Sequence, residues 1–318
     1  MPQNTISGTA VRQVIAELET TRKTILFGQF RGWAALIAGI GLLLVLLPLA
    51  NGFISFAVFG IALTYGLITL NRVSGTKTQY KSRYKQEVIA ALLREFSHDI
   101  RFSPNQGISQ AEFTGSQLFK TQPDRYHTED LILGKLEKTH FHFAEVHAEY
   151  KTETHTKHGR REYWHTILKG VVFVADFNKN FNGITVVRPK DLGSSLGAWF
   201  SENIYSFSNK EVVRLENEAF NGNFVTYSTD QVEARYLLTP ALMEKINELN
   251  QRSSHCISLS FIRSSVYIAF PLSHNYFEPP LFKSLSREDL LDNDLNILRF
   301  MFGIVDDLDL NIRIWTKD

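Results

Sequence analysis

The pattern of hydrophobic and polar positions changes character along this chain. Val11, Val14, Ile15 and Leu18 recur at helical spacing, so residues 10–30 are predicted as an amphipathic helix. Between Arg31 and Arg72 the pattern gives way to one apolar run with no charged residue, 32-GWAALIAGIGLLLVLLPLANGFISFAVFGIALTYGLITLN-71. A helix crosses a bilayer with about 20 apolar residues. The run holds two such lengths, parted by the turn residues of 48-PLANG-52. The predicted spans are 33–49 and 53–70. Ala35 and Gly39 in the first, and Ala62 and Gly66 in the second, put small residues four apart, which lets two helices approach closely in lipid. A buried hairpin of a soluble protein would need a polar face, and neither segment has one. The long polar lead, with Glu17 and Glu19, and the second span argue against a cleaved signal peptide.

After the apolar run, helical period returns. Tyr80, Tyr84, Val88, Leu92 and Phe96 lie four apart with Lys, Arg and Gln between them, and this stripe reads as core rather than as a ligand site. From about residue 100 the pattern is mixed. Long strand-like runs at 139–153 and 162–176 flank 154-THTKHGRR-161, where Gly159 supplies a turn. Further strands are expected at 184–189, 256–261, 265–270 and 310–316. Ser228 with Gln231 reads as a capping box. Thr239 followed by Pro240 opens a helix over 240–250. Ser286 and Asp289 cap a helix over 286–308. The predicted class is α+β: an N-terminal two-helix transmembrane hairpin with a helical stalk, then a domain with a mainly antiparallel sheet and packed helices. The predicted organisation is an amphipathic helix (1–32), the hairpin (33–70), a stalk (71–99) and an α+β domain (100–318).

Charge sharpens this picture. Lys+Arg and Asp+Glu nearly cancel, leaving a net charge of +1, so no concentrated basic face marks a nucleic-acid partner. Arg22, Lys23 and Arg31 precede the first span, and Arg72, Lys77, Lys81, Arg83 and Lys85 follow the second. The intervening loop has no charge. The positive-inside rule then places both flanks, and with them both termini, in the cytoplasm of a multi-pass membrane protein. The basic residues from Arg72 to Lys85 are expected to meet anionic lipid headgroups at the cytoplasmic face. Cys256 is the lone cysteine, which excludes an internal disulfide and a Cys-based zinc knuckle and fits a small buried apolar residue.

Candidate chemistry is sparse. The motif 193-GSSLG-197 matches a nucleophile elbow but follows no buried strand, so it reads as a loop. No phosphate-binding loop and no H-E-x-x-H occurs. The acidic groups Asp289/Asp292/Asp294 and Asp306/Asp307/Asp309 lack the Gly and Glu of a calcium loop and read as solvated helix surface. The segment 139–165 is rich in histidine. His140 and His142 share one strand face, with Glu145, His147 and Glu149 on the other beside Phe141 and Phe143. His165 on the partner strand would supply a third zinc ligand if the register allows. The competing reading is a solvated hairpin face with the phenylalanines inward. In 227-YSTDQVEARYLLTP-240, Asp230, Glu233 and Arg235 form a charged cluster. Arg235 is expected to bridge carboxylates and lock the helix to the sheet, with Val232, Tyr236 and Leu237 on the buried side. A ligand or partner site is the alternative.

The stretches 170-GVVFVADFNKNF-181, 215-LENEAFNGNFVTYSTDQVEARYLLTPALMEKI-246 and 257-ISLSFIRSSVYIAFP-271, behind a two-span hairpin, resemble the bacterial family catalogued as domain of unknown function 3137 over roughly residues 10–280. The resemblance implies a bacterial inner-membrane protein and brings no activity and no catalytic residues. The histidine segment lies outside these blocks. The combined expectation is a membrane-anchored cytoplasmic binding or scaffolding module with no cofactor. Its expected partners are the lipid bilayer and a membrane protein. The alternative is a metal-dependent hydrolase built on His140, His142 and His165.

Overall fold

The computed structural model describes residues 9–49, 52–96, 99–156, 159–177, 179–190, 211–253, 256–272, 275–285 and 288–310. The 193–197 motif, His158, the Ser286 cap and all but the first residue of the expected strand 310–316 lie outside these. The chain divides into two compact units, residues 1–96 with 277–295, and residues 97–276 with 296–318.

In the first unit, α1 (Thr9–Leu49) and α2 (Gly52–Arg83) run as two long helices. At about 1.5 Å per residue, α1 is roughly 60 Å long, twice the hydrocarbon thickness of a bilayer. Both helices are long and apolar enough to cross a membrane, and only 11% of the most apolar window of each is buried. A core helix of a soluble protein would be mostly buried. Here Trp33, Ile37, Leu44, Phe53, Ile61 and Leu67 are each more than half exposed. The helices meet through small residues. A Cβ added to Gly39 would lie 2.8 Å from the Ala62 Cβ, and one on Gly66 would lie 2.7 Å from a Leu36 methyl and 3.2 Å from the Gly32 carbonyl. Only glycine permits that approach.

Beyond the apolar run the expected stripe forms a core: Tyr80, Tyr84, Val88 and Leu92 are buried together with Leu18 and Ile25 of α1. The helix widens to π pitch over Tyr84–Ile89, where the Ala90 N–H reaches back to the Lys85 carbonyl, and then continues as α3 (Ala90–Phe96). The wide turn carries Tyr84, Lys85, Val88 and Ile89 all to the buried side. The segment Phe277–Leu285 is gripped by polar side chains of this unit. Arg22 bonds Glu19 at 2.7 and 2.8 Å and the Leu281 carbonyl at 2.8 Å. Glu19 accepts the Leu285 N–H at 3.0 Å. Tyr80 donates to the Pro280 carbonyl at 3.0 Å. Asp294 accepts from the Tyr84 hydroxyl at 2.9 Å and from the Phe277 N–H at 3.1 Å, so it is a buried acceptor and not solvated helix surface.

Among the described residues of the second unit, nine strands form one sheet in the order β1-β2-β3-β4-β9-β8-β5-β7-β6, with every pair antiparallel. The strands are β1 (Arg101–Ser103), β2 (Arg125–Leu136), β3 (Thr139–Thr156), β4 (Gly159–Asp176), β5 (Ile184–Pro189), β6 (Glu211–Val213), β7 (Phe224–Ser228), β8 (Ser258–Ile262) and β9 (Ser265–Pro271). Gly159 enters β4 at φ 119°, a conformation that favours glycine. Both faces of the central strands are covered. On one, α4 (Gln110–Gly115) sets Phe113 against Ala144, Val146, Val172 and Val174. On the other, Phe302 of α8 (Glu288–Asp307) meets Phe141 and Phe143 edge-on at 5.4 and 6.1 Å. The expected division of β3 into an apolar and a solvated face is therefore corrected: residues 143–146 are buried on both sides.

The described residues of this unit also form the helices α5 (Glu218–Asn223), α6 (Gln231–Leu237) and α7 (Pro240–Arg252). Thr239 caps α7 as expected, accepting the Leu242 N–H, with Pro240 at the first position. The cap of α6 is Asp230, which accepts the Val232 and Glu233 N–H groups, and not Ser228. The Ser228 hydroxyl is used one step earlier, bonding the Asp230 backbone. Cys256 is exposed, against expectation, because it precedes β8 rather than lying within it.

Candidate functional site

The strand register answers the histidine question. His142 stands opposite Val174, whereas His165 stands opposite Tyr150, eight residues further along β3. At about 3.3 Å per residue that is roughly 26 Å. His140, His142 and His165 are not brought together. His142 instead bonds Glu112 of α4 at 2.9 Å, and that contact, against an opposing effect of burial, holds the Glu112 carboxyl below its usual range. His165 stacks on Tyr150 and bonds the Thr152 hydroxyl at 2.8 Å. His140 is exposed opposite Lys135.

The cluster on α6 also differs from expectation. Among the described residues, Arg235 bonds only Gln231 of its own helix and bridges no carboxylate. Glu233 makes the tie: its carboxylate accepts the Asn182 and Gly183 N–H groups at 3.1 and 2.7 Å, pinning α6 to the start of β5. Val232 and Tyr236, expected inside, are 77% and 62% exposed, and Lys179 lies 4.9 Å over the Tyr236 ring. Leu237 is buried as expected. Of the basic residues after the second span, Lys81 and Lys85 pair with Glu278, and Arg83 pairs with Glu87 and Glu17. Lys85 is buried, carried inward by the π turn. Arg72 is exposed and Lys77 half-buried on α2, and neither forms an ion pair among the described residues.

A different set of residues converges on β2 and β3. His127 stands directly opposite His147, and Glu129 directly opposite Glu145, so four ionisable side chains occupy adjacent rungs of one sheet face. A bulge follows Glu129. Within it Asp130 takes a positive φ of 60°, which aspartate tolerates better than most residues. The bulged amides of Asp130 and Leu131 are taken by the Pro104 and Gln106 carbonyls. An oxygen of Asp130 then lies within 4.8 Å of oxygens of both Glu129 and Glu145. Asp130 is 1% exposed and Glu145 7%. Two full negative charges at that separation repel by about 3.5 kcal/mol at an effective dielectric of 20. The Tyr276 N–H donates to Glu145 at 2.6 Å. His127 Nε2 lies 3.7 Å from Glu129, and His147 Nε2 lies 3.6 Å from Glu149. A cleft of about 150 Å³ opens onto His127, Glu129, Glu145, His147, Lys169 and Asn275.

Sequence reasoning saw His147 and Glu145 but missed their partners. The signal was present as a matching alternation, 127-HTED-130 against 145-EVH-147. Only the register shows that the two runs face each other.

Among curated proteins, none matches the sequence. Among solved structures, the crystal structure of the mycobacterial trehalose monomycolate transport factor A, TtfA, aligns with 72% of this chain and 95% of its own at 10% identity and a TM-score of 0.36, too distant to carry a fold or a role across. The family model described as Protein of unknown function (DUF3137) matches residues 166–310, a little under half of the chain.

Proposed function

We propose that this chain is a membrane-anchored binding or scaffolding module. Its spans are 33–49 and 53–70, and residues 1–32, the stalk 71–99 and the α+β domain 100–318 lie on the cytoplasmic side of a bacterial inner membrane. The observation that carries the reading is the exposed apolar surface of residues 33–49 of α1 and 53–70 of α2, which no charged residue interrupts. The orientation rests on the Lys and Arg that flank the charge-free run. Arg72 and Lys77 are the cations of this set left for anionic headgroups, at about 1 kcal/mol each. Lys81, Arg83 and Lys85 hold the protein's own carboxylates instead. For a membrane-protein partner, the exposed side of α6 is the docking face. Tyr236, Val232 and Arg235 there combine an aromatic, an apolar and an arginine anchor within the family segment.

Topology is tested with reporters. A phosphatase fused after Asp318 should be inactive, and one inserted between Leu49 and Gly52 should be active. The reverse pattern sinks the orientation. For the docking face, a photo-crosslinker at position 236 should capture one discrete protein in cells, and Arg235→Glu should abolish the capture. Capture of lipid alone, or insensitivity to Arg235→Glu, sinks that part.

A further inference from the structure

The geometry points to a divalent transition-metal site on β2 and β3, ligated by Glu129, Asp130 and Glu145 at its base and by His127, whose Nε2 lies 3.7 Å from Glu129, at its open side. Three features of the molecule carry this. The first is composition: imidazole and carboxylate from two neighbouring strands form a mixed nitrogen and oxygen donor set, which suits zinc and related ions. Calcium and magnesium would call for oxygen donors throughout. The second is placement. The cross-strand pairs His127–His147 and Glu129–Glu145 lie on one face, with carboxylate oxygens of Glu129, Asp130 and Glu145 within 4.8 Å of one another. The third is access. The cleft that opens onto both histidines and both glutamates reaches solvent, so an ion has an entry path and room for a bound water.

The arrangement also contains supports that hold such ligands. The bulge that turns Asp130 into the site is fixed by the Pro104 and Gln106 carbonyls. Glu145 is oriented by the Tyr276 N–H, the kind of outer hydrogen bond that steadies a ligating carboxylate. Lys169 stands opposite His147 and lines the same cleft, but its side chain is exposed and free to swing toward solvent when a dication enters.

The test uses the full chain in detergent, stripped with chelator and titrated with Zn²⁺ alone. About one zinc per chain should bind. His127→Ala and Glu145→Gln should each weaken binding at least tenfold, in line with losing one ligand. His142→Ala and His165→Ala should leave it unchanged. Diethyl pyrocarbonate labelling of the unmutated protein keeps the proposal testable if a variant misfolds. Zinc should protect His127 from modification and leave the exposed His140 reactive. Absence of zinc binding overturns the proposal. So does His127 modification at the same rate with and without zinc. Equal binding of Mg²⁺ or Ca²⁺ with no sensitivity to His127→Ala would also overturn it.

Discussion

In the first unit the buried charges come with complements. Glu19 lies against Arg22, Lys85 against Glu278, and Asp294 accepts the Tyr84 hydroxyl and a backbone amide. In the second unit the β2–β3 rungs gather three carboxylates, two of them buried, beside two histidines and a solvent-filled cleft. The first arrangement is closed. Arg22, Glu19, Tyr80 and Asp294 are spent on holding the segment 277–285. The second is open to solvent through the cleft and gathers carboxylates of like charge within 4.8 Å of one another. Buried charge by itself therefore does not mark a binding site. The sign of its neighbours and its access to solvent do.

The comparison breaks first at Arg22. Arg22→Ala leaves the Glu19 carboxylate buried without its partner and should destabilise the first unit by about 3–5 kcal/mol, read by thermal unfolding in detergent. The same pair makes the first unit acid-sensitive. Hydrogen bonds from Arg22 and from the Leu285 N–H outweigh burial and hold the Glu19 carboxyl down at about 2. A carboxyl held below its unfolded value contributes stability that is complete above that value and is lost as pH falls toward the folded one. Unfolding temperature should therefore drop between about pH 4.5 and 2, and Glu19→Gln should flatten that drop. A smaller loss is expected from Tyr84→Phe, about 1–3 kcal/mol, because it strips one hydrogen bond from buried Asp294 while the Phe277 amide remains. On α6 the effect shrinks further. Glu233→Gln should cost about 1 kcal/mol through one weakened amide contact. Arg235→Ala should cost under about 0.5 kcal/mol, because among the described residues Arg235 hydrogen-bonds only Gln231. A large loss at Arg235 would restore the carboxylate bridge that the structure does not contain.

Much of this architecture was legible in the sequence because its signals are local. A charge-free run, an apolar stripe four residues apart and a Thr-Pro cap each act within one element. The apolar helices, the Tyr80–Leu92 core and the opening of α7 follow from them. What was not legible depends on pairing across distance. Separation of His142 from His165 is set by strand register, which no residue of β3 announces alone. The partnership of His147 with His127 is set by β2, twenty residues away in sequence, and that of Asp130 with Glu145 by a bulge. Lys85 reads as surface on an α-helix and is buried because the helix widens to π pitch. Asp294 reads as one of an acidic surface group and is buried because Tyr84 and Phe277 come to it.

The contrast between the closed and open arrangements is tested most directly by neutralising one carboxylate in each and measuring thermal unfolding with and without Zn²⁺. Glu19→Gln should lower the unfolding temperature near neutral pH and leave the zinc-induced rise intact. Glu145→Gln, which keeps an oxygen for the Tyr276 amide, should hold or raise the zinc-free unfolding temperature and abolish the zinc-induced rise. If Glu145→Gln instead destabilises the zinc-free protein as much as Glu19→Gln does, and zinc changes neither, the carboxylates of β2 and β3 are structural and the contrast fails.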